Sequence, residues 1–204
     1  MEFNIKTTNQ TPVLWSDNFF SEDEIGVMKK ECDKIRVLNL FSNDTGSAKA
    51  DGVIQSKNDS VFLEKLYNAE IRLSDTINVT RIRLFDPKFQ KYLVDIHPYF
   101  ITLTNLHISN GATTLLSYYD DSQYYKPHRD LSFVTVITWF YENPKAFEGG
   151  DFIIENDIKI ECKHGRTVFM PSYLLHEVTP VTMPEDKQGK GLGRYSISNF
   201  MQRV

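Results

Sequence analysis

The rhythm of apolar positions along this chain changes near residue 100. Upstream, Ile25, Met28, Cys32 and Ile35 recur every three or four residues, which lines them up on one stripe of a helix. Ser21 and Glu24 precede that stripe as a capping box, with Phe20 and Ile25 placed as its hydrophobic staple. The helix is predicted to fade near Arg36. Residues 42–60 are polar and Gly-containing and read as a mobile loop. A second helix is predicted from about Asp59, with Phe62, Leu66, Ala69 and Leu73 on one face. Asp86-Pro87 pairs an N-cap with a proline at the first helical position and predicts a third, short helix.

Downstream the pattern becomes one of short strands divided by turn residues. Ile101 to Ile108 is strand-like, and Asn110-Gly111 is a hairpin signal before Thr113 to Tyr119. Ser132 to Tyr141 is rich in β-branched and aromatic residues. Asp151 to Ile154 and Ile158 to Cys162 flank the turn Glu155-Asn156-Asp157. Arg166 to Met170, Glu177 to Thr182 and Tyr195 to Met201 complete the set. No strand–helix alternation and no internal repeat is visible. The fold class expected is mainly β (α+β): a jelly roll, or double-stranded β-helix, with supporting N-terminal helices. The 204 residues suit a single domain. It divides into a helical support region over 1–98, carrying the 42–60 loop, and a jelly-roll core over 99–204.

Composition narrows the function classes. Lys plus Arg number 23 and Asp plus Glu 27, a net charge of −4, which lacks the basic footprint of a nonspecific nucleic-acid binder. The longest apolar run, Phe133 to Tyr141, is too short to cross a bilayer, so no membrane partner is expected. The start of the chain, Met1-Glu2-Phe3-Asn4-Ile5-Lys6, has no leader-like pattern. The two cysteines, Cys32 and Cys162, form no framework, which fits a reducing, cytoplasmic setting.

Chemistry concentrates around His128-Arg129-Asp130. On a strand, residues two apart point to one side, so an imidazole and a carboxylate would converge. His176 is the candidate third ligand of a 2-His-1-carboxylate facial triad, a donor set that suits Fe(II) and would also accept Zn²⁺ or Ni²⁺. Such a tripeptide arises often by chance, and alone it reads as a surface polar pair.

The surroundings change that weight. Tyr119-Asp120-Asp121-Ser122-Gln123-Tyr124-Tyr125-Lys126-Pro127-His128-Arg129-Asp130 resembles the prolyl 4-hydroxylase-type Fe(II)/2-oxoglutarate dioxygenases, with Tyr119 and Tyr125 at the family's spacing before the histidine. A hydrophobic strand, the turn Glu148-Gly149-Gly150, Gly165 to Ser172, His176 to Val181 and Arg194 to Phe200 follow in the family's order. The resemblance covers residues 100–203. It departs at Met183 to Gly193, a Gly-rich stretch that delays Arg194 and reads as an extended hairpin loop. Arg also stands where collagen-type members have Lys, and Ser122 where Gly is common.

The resemblance implies Fe(II) held by His128, Asp130 and His176, with 2-oxoglutarate and O₂ as cosubstrates and ascorbate as an accessory reductant. It implies that Arg194 meets the buried second carboxylate of 2-oxoglutarate, a job suited to a bidentate guanidinium. Tyr119, Ser196 and Thr135 are candidates to line the same pocket, and Tyr125 and Trp139 to touch substrate. The implied reaction hydroxylates an unactivated C–H, first of all in a prolyl residue of a protein or peptide, releasing succinate and CO₂. The same chemistry on a free amino acid, another small molecule, a lysyl side chain or a nucleobase stays open, as does a non-catalytic jelly-roll binding protein. Loops 42–60 and 183–193 are candidate lids; the sequence does not give the oligomeric state.

Overall fold

A computed structural model describes residues 2–42 and 56–203. In chain order it contains β1 (Asn4–Thr8), β2 (Thr11–Ser16), α1 (Glu22–Val37), β3 (Ser56–Lys57), β4 (Asp59–Phe62), α2 (Leu63–Tyr67), α3 (Asp75–Leu84), α4 (Pro87–Ile96) and α5 (Pro98–Thr104). There follow β5 (Gly111–Tyr119), β6 (Tyr124–His128), β7 (Val134–Phe140), β8 (Glu148–Gly149), β9 (Phe152–Ile154), β10 (Ile158–Ile160), β11 (Thr167–Pro171), β12 (His176–Val178), β13 (Val181–Thr182) and β14 (Arg194–Gln202).

The larger sheet runs β1-β2-β11-β7-β14-β5-β4 and the smaller β10-β9-β12-β6-β3, while β8 and β13 form a separate pair. Every strand pairing is antiparallel. The chain is mainly β, a jelly-roll sandwich with helices packed on it. Alternation along the strands creates two cores. On β14, Tyr195, Ile197 and Met201 join the helices' Met28, Ile77 and Leu93 on one side of the large sheet. Arg194, Ser196 and Ser198 face the other way, into the space between the sheets.

Helix α1 forms as its sequence predicts. Ser21 Oγ accepts from Glu24 N, Glu24 Oε2 accepts from Ser21 N at 2.8 Å, and Ile25, Met28, Cys32 and Ile35 are buried. The Asp86 cap and Pro87 start α4, again as predicted.

Three expectations fail, each for a local reason. The helix predicted from Asp59 is a strand instead, because Asp59–Phe62 pairs with β5 and covers the edge of the large sheet. Helix α2 then ends at Asn68, whose φ is +48°, and α3 restarts behind Ser74, whose Oγ accepts from Ile77 N. Ile101 to Ile108 is not a strand. Pro98 opens α5, His97 Nδ1 caps it by accepting from Phe100 N at 3.0 Å, and Thr104 Oγ1 returns to Phe100 O at 2.7 Å. These helix signals outweigh the β-branched run. Asn110-Gly111 makes no hairpin, since Gly111 simply opens β5.

The first 98 residues are also less helical than expected. β1 and β2 form a hairpin through Asn9 and Gln10, both at positive φ, and β2 joins the large sheet beside β11. Of the loop expected over 42–60, Ser56–Lys57 and Asp59–Phe62 are strand, and residues 43–55 lie outside the described residues.

Candidate metal and cosubstrate site

Between the sheets lies a narrow recess. Its walls carry Tyr119, Tyr125, His128, Asp130, Thr135, His176, Arg194 and Ser196, together with apolar side chains such as Ile137, Phe152 and Val178.

Three of these residues meet. The ligand atoms of His128, Asp130 and His176 all lie within 4.8 Å of one another. His128 ends β6 and His176 begins β12, and the two are directly paired across the small sheet. Asp130 follows β6 by two residues, and its backbone N–H donates to Ser172 O at 2.9 Å, tying it to the loop before β12. His176 Nε2 stands 3.4 Å from Asp130 Oδ2, and His128 Nε2 stands 3.8 Å from Asp130 Oδ1.

The histidines are oriented alike. His128 Nδ1 lies 2.8 Å from Lys126 O, and His176 Nδ1 lies 2.8 Å from Leu174 O. A ring nitrogen facing a carbonyl carries its proton there, which turns Nε2 of each ring toward the other ligand atoms. His128 stacks on Tyr125 with centroids 3.7 Å apart. Burial, reinforced by neighbouring His176, pushes the His128 pKa down to about 4, so this ring is neutral at pH 7. Burial alone would raise the Asp130 carboxyl, but the His176 and Thr135 hydrogen bonds outweigh it and hold Asp130 below the usual carboxylate range. Two imidazoles and one carboxylate are the donor set of a divalent transition metal, and the residues fit that group.

Arg194, 1 % exposed, lies in the same recess. Its Cζ sits 4.7 Å from the Tyr119 ring centroid and 5.3 Å from that of Trp139. Its Nε and Nη1 are buried and find no hydrogen-bond partner among the described residues. Native proteins rarely leave buried donors unsatisfied, so this pair fits an anionic acceptor carried by a ligand. Burial pushes the Tyr119 phenol up to about 12, partly offset by Arg194, so it stays a neutral O–H at pH 7. Ser196, two residues on from Arg194, lines the recess as its position on the strand predicted.

Two sequence-derived roles change. Thr135 lines the recess, but its Oγ1 is committed to Asp130 Oδ2 at 2.6 Å, so it orients that carboxylate. Trp139 is fully buried, with its ring near Arg194 and 5.8 Å from Phe152, so it packs on the arginine and not at the surface.

The 183–193 stretch is pinned. Met183 N donates to Asp121 Oδ1 at 2.8 Å, Gly189 N to Asp120 Oδ2 at 3.0 Å and Gly193 N to the Tyr118 hydroxyl at 3.1 Å. Its flanking strands do not pair with each other as a hairpin: β13 pairs with β8, and β14 with β5 and β7. Sequence reading missed Ser172, whose Oγ lies 2.9 Å from Thr135 Oγ1 and 2.7 Å from Ser132 Oγ. No local pattern marks it, because strand pairing alone brings it to Asp130.

Comparisons with known proteins agree with this geometry. Residues 114–202 match the family model of the 2OG-Fe(II) oxygenase superfamily. A PKHD-type hydroxylase of Alteromonas mediterranea is 25% identical over 183 residues, covering 83% of this chain and 72% of that protein. A prolyl-4-hydroxylase of Pseudomonas putida superposes with a TM-score of 0.57 at 15% identity, covering 94% of this chain and 92% of its own. A prolyl hydroxylase of Trichoplax adhaerens, solved with a hypoxia-inducible-factor peptide fragment, also gives 0.57 at 15% identity, covering 93% and 83%. The matched segment runs from within β5 to the end of β14 and contains His128, Asp130, His176 and Arg194, so over the residues of the candidate site the chain is similar to the 2OG-Fe(II) oxygenases, and its fold is that of the prolyl hydroxylases.

Proposed function

We propose that this chain hydroxylates a prolyl residue in a peptide or protein, with Fe(II) held by His128, Asp130 and His176 and 2-oxoglutarate held by Arg194. The observation that carries the reading is the meeting of three metal-competent side chains in one recess with a buried arginine whose Nε and Nη1 find no hydrogen-bond partner among the described residues. When bound, the iron and its cosubstrate supply the oxidising chemistry that places one oxygen of O₂ into a C–H bond, with succinate and CO₂ released.

The chain's own residues do the rest. The Lys126 and Leu174 carbonyls fix the tautomers of His128 and His176. Thr135, its hydroxyl within hydrogen-bond distance of Ser172 Oγ, holds the Asp130 carboxylate. Arg194 orients the cosubstrate through its far carboxylate, and Tyr119 and Ser196 add hydroxyls beside it. The apolar walls limit water around these charges, which strengthens their interactions. Tyr125, stacked on His128 at the lined edge of the recess, is the substrate contact in this reading. The prolyl assignment draws on the similarity to the Pseudomonas putida and Trichoplax adhaerens enzymes, the latter solved with a peptide. A reducing, cytoplasmic setting is part of the reading. It is supported by two buried free thiols, and no helix among the described residues is long and apolar enough to cross a membrane.

The test is a panel of proline-containing peptides, other peptides and metabolites screened for stimulated succinate release. The reading requires a prolyl peptide that gains the mass of one oxygen atom. Turnover confined to a metabolite would reassign the substrate, and no turnover with any compound would favour a binding protein.

A further inference from the structure

The Glu148-Gly149-Gly150 turn lies beside the site, and neither metal ligation nor cosubstrate contact accounts for its glycines. Both have positive φ, +69° and +67°, but different neighbours demand them. A Cβ on Gly149 would strike the Pro180 carbonyl oxygen, which is a demand of the backbone fold. A Cβ on Gly150 would stand 2.8 Å from Arg194 Cδ, 3.2 Å from Val181 Cγ2 and 3.6 Å from Arg194 Nε. The stem of the buried arginine thus passes directly over the bare α-carbon of Gly150. The Tyr119 and Trp139 rings approach its guanidinium at 4.7 and 5.3 Å.

We propose that Gly150 and Trp139 are positioning residues that clamp Arg194 in its binding geometry before the cosubstrate arrives. The proposal rests on the reading that Arg194 receives the second carboxylate of 2-oxoglutarate. Fixing a long, multiply rotatable side chain costs conformational entropy. Here folding has already immobilised it against Gly150 and the two rings, so binding need not, and its donors Nε and Nη1 have no hydrogen-bond partner among the described residues. Any side chain at 150 must displace Cδ and carry those donors with it. Shrinking Trp139 removes part of the wall on which the guanidinium rests.

The experiment titrates two ligands into the Mn²⁺-loaded protein without O₂, by calorimetry. 2-Oxoglutarate needs both the metal and Arg194. Oxalate can chelate the metal but has no distant carboxylate. For Gly150→Ala the 2-oxoglutarate Kd should rise roughly tenfold or more, as for a small misplacement of a binding group, while oxalate changes by less than about twofold. Because alanine at positive φ strains the turn, Trp139→Phe provides a second variant without backbone strain, and the same selective loss is expected. A folded Gly150→Ala that binds 2-oxoglutarate as wild type does would overturn the proposal. So would equal weakening of both ligands, or, should that variant not fold, a Trp139→Phe protein with unchanged 2-oxoglutarate affinity. Arg194→Met separates the two levels. If it binds 2-oxoglutarate like wild type, the arginine's role itself is wrong. If it alone loses affinity, only the clamp is.

Discussion

Thr135 Oγ1 donates a 2.6 Å hydrogen bond to Asp130 Oδ2 across the turn that joins β6 to β7. The same hydroxyl lies 2.9 Å from Ser172 Oγ, which in turn lies 2.7 Å from Ser132 Oγ. The Asp130 carboxylate therefore has one oxygen fixed by the large sheet, although its partners His128 and His176 belong to the small one. Thr135→Val keeps the shape and removes the donor. Its affinity for Mn²⁺ or Zn²⁺ should fall about 10–100-fold, the range typical of residues that orient a ligand. Equilibrium dialysis measures this, and unchanged affinity would show that the bond does not orient the ligand.

His176 is 3 % exposed and faces both other members of the triad. Replacing it with alanine should abolish the visible charge-transfer band formed by Fe(II) and 2-oxoglutarate without O₂, and with it succinate formation. The fold should survive, because the strand pairing of β12 uses backbone groups. Circular dichroism alongside the titration checks that the loss is local.

Arg194→Lys tests geometry rather than charge. The ammonium keeps the positive charge but loses the planar fork that can meet a carboxylate with two bonds. The expected loss of 2-oxoglutarate affinity is about 2–3 kcal/mol, within the range for disturbing a buried charged pair. A variant as tight as wild type would mean that a point charge suffices.

Asp17 shows where pH acts on stability. Arg166 donates to it at 2.6 and 3.0 Å and Lys163 at 2.8 Å. The Arg166 hydrogen bond, with Lys163, lowers its pKa from 3.8 to about 2. A depressed folded-state pKa stabilises the fold above the unfolded value, and that stabilisation disappears as pH falls through the folded one. Asp17→Asn should thus be less stable than wild type above pH 5, and the two should converge by about pH 2. The carboxylate is 36% exposed, so solvent keeps the effect small. Urea unfolding over this pH range provides the comparison, and a constant difference would rule the ion pairs out as its source.

Ser21 closes the capping box of α1 with Glu24. Ser21→Ala should cost about 1 kcal/mol in urea unfolding. Glu24 also pairs with Arg83 at 2.8 Å through two bonds, so Glu24→Ala should cost more than the serine change.

What could be read along the chain follows from the range of the forces involved. The α1 stripe and its cap, the Asp86-Pro87 start and the strands β5, β7, β9, β10, β11 and β14 are legible because periodicity and turn chemistry act over a few residues. The grouping of His128 with Asp130 is legible for the same reason, since the HxD spacing and the flanking tyrosines are local, whereas His176 reaches them only through the pairing of β12 with β6. The strands missed in the first third have a long-range cause. Asp59–Phe62 became a strand because β5 offered an unpaired edge, and β1 and β2 because β11 did. An edge is a property of the assembled sheet, and no window of sequence contains it.

The sequence by itself determined the residue types of the site and their order, because ligand chemistry belongs to side chains. Tertiary structure alone decided what surrounds them: His176 paired with His128 across the small sheet, Ser172 beside Thr135, and Arg194 lying over Gly150 between aromatic rings. Those contacts join strands remote along the chain, and they exist only once burial of two separate apolar faces has brought the sheets together.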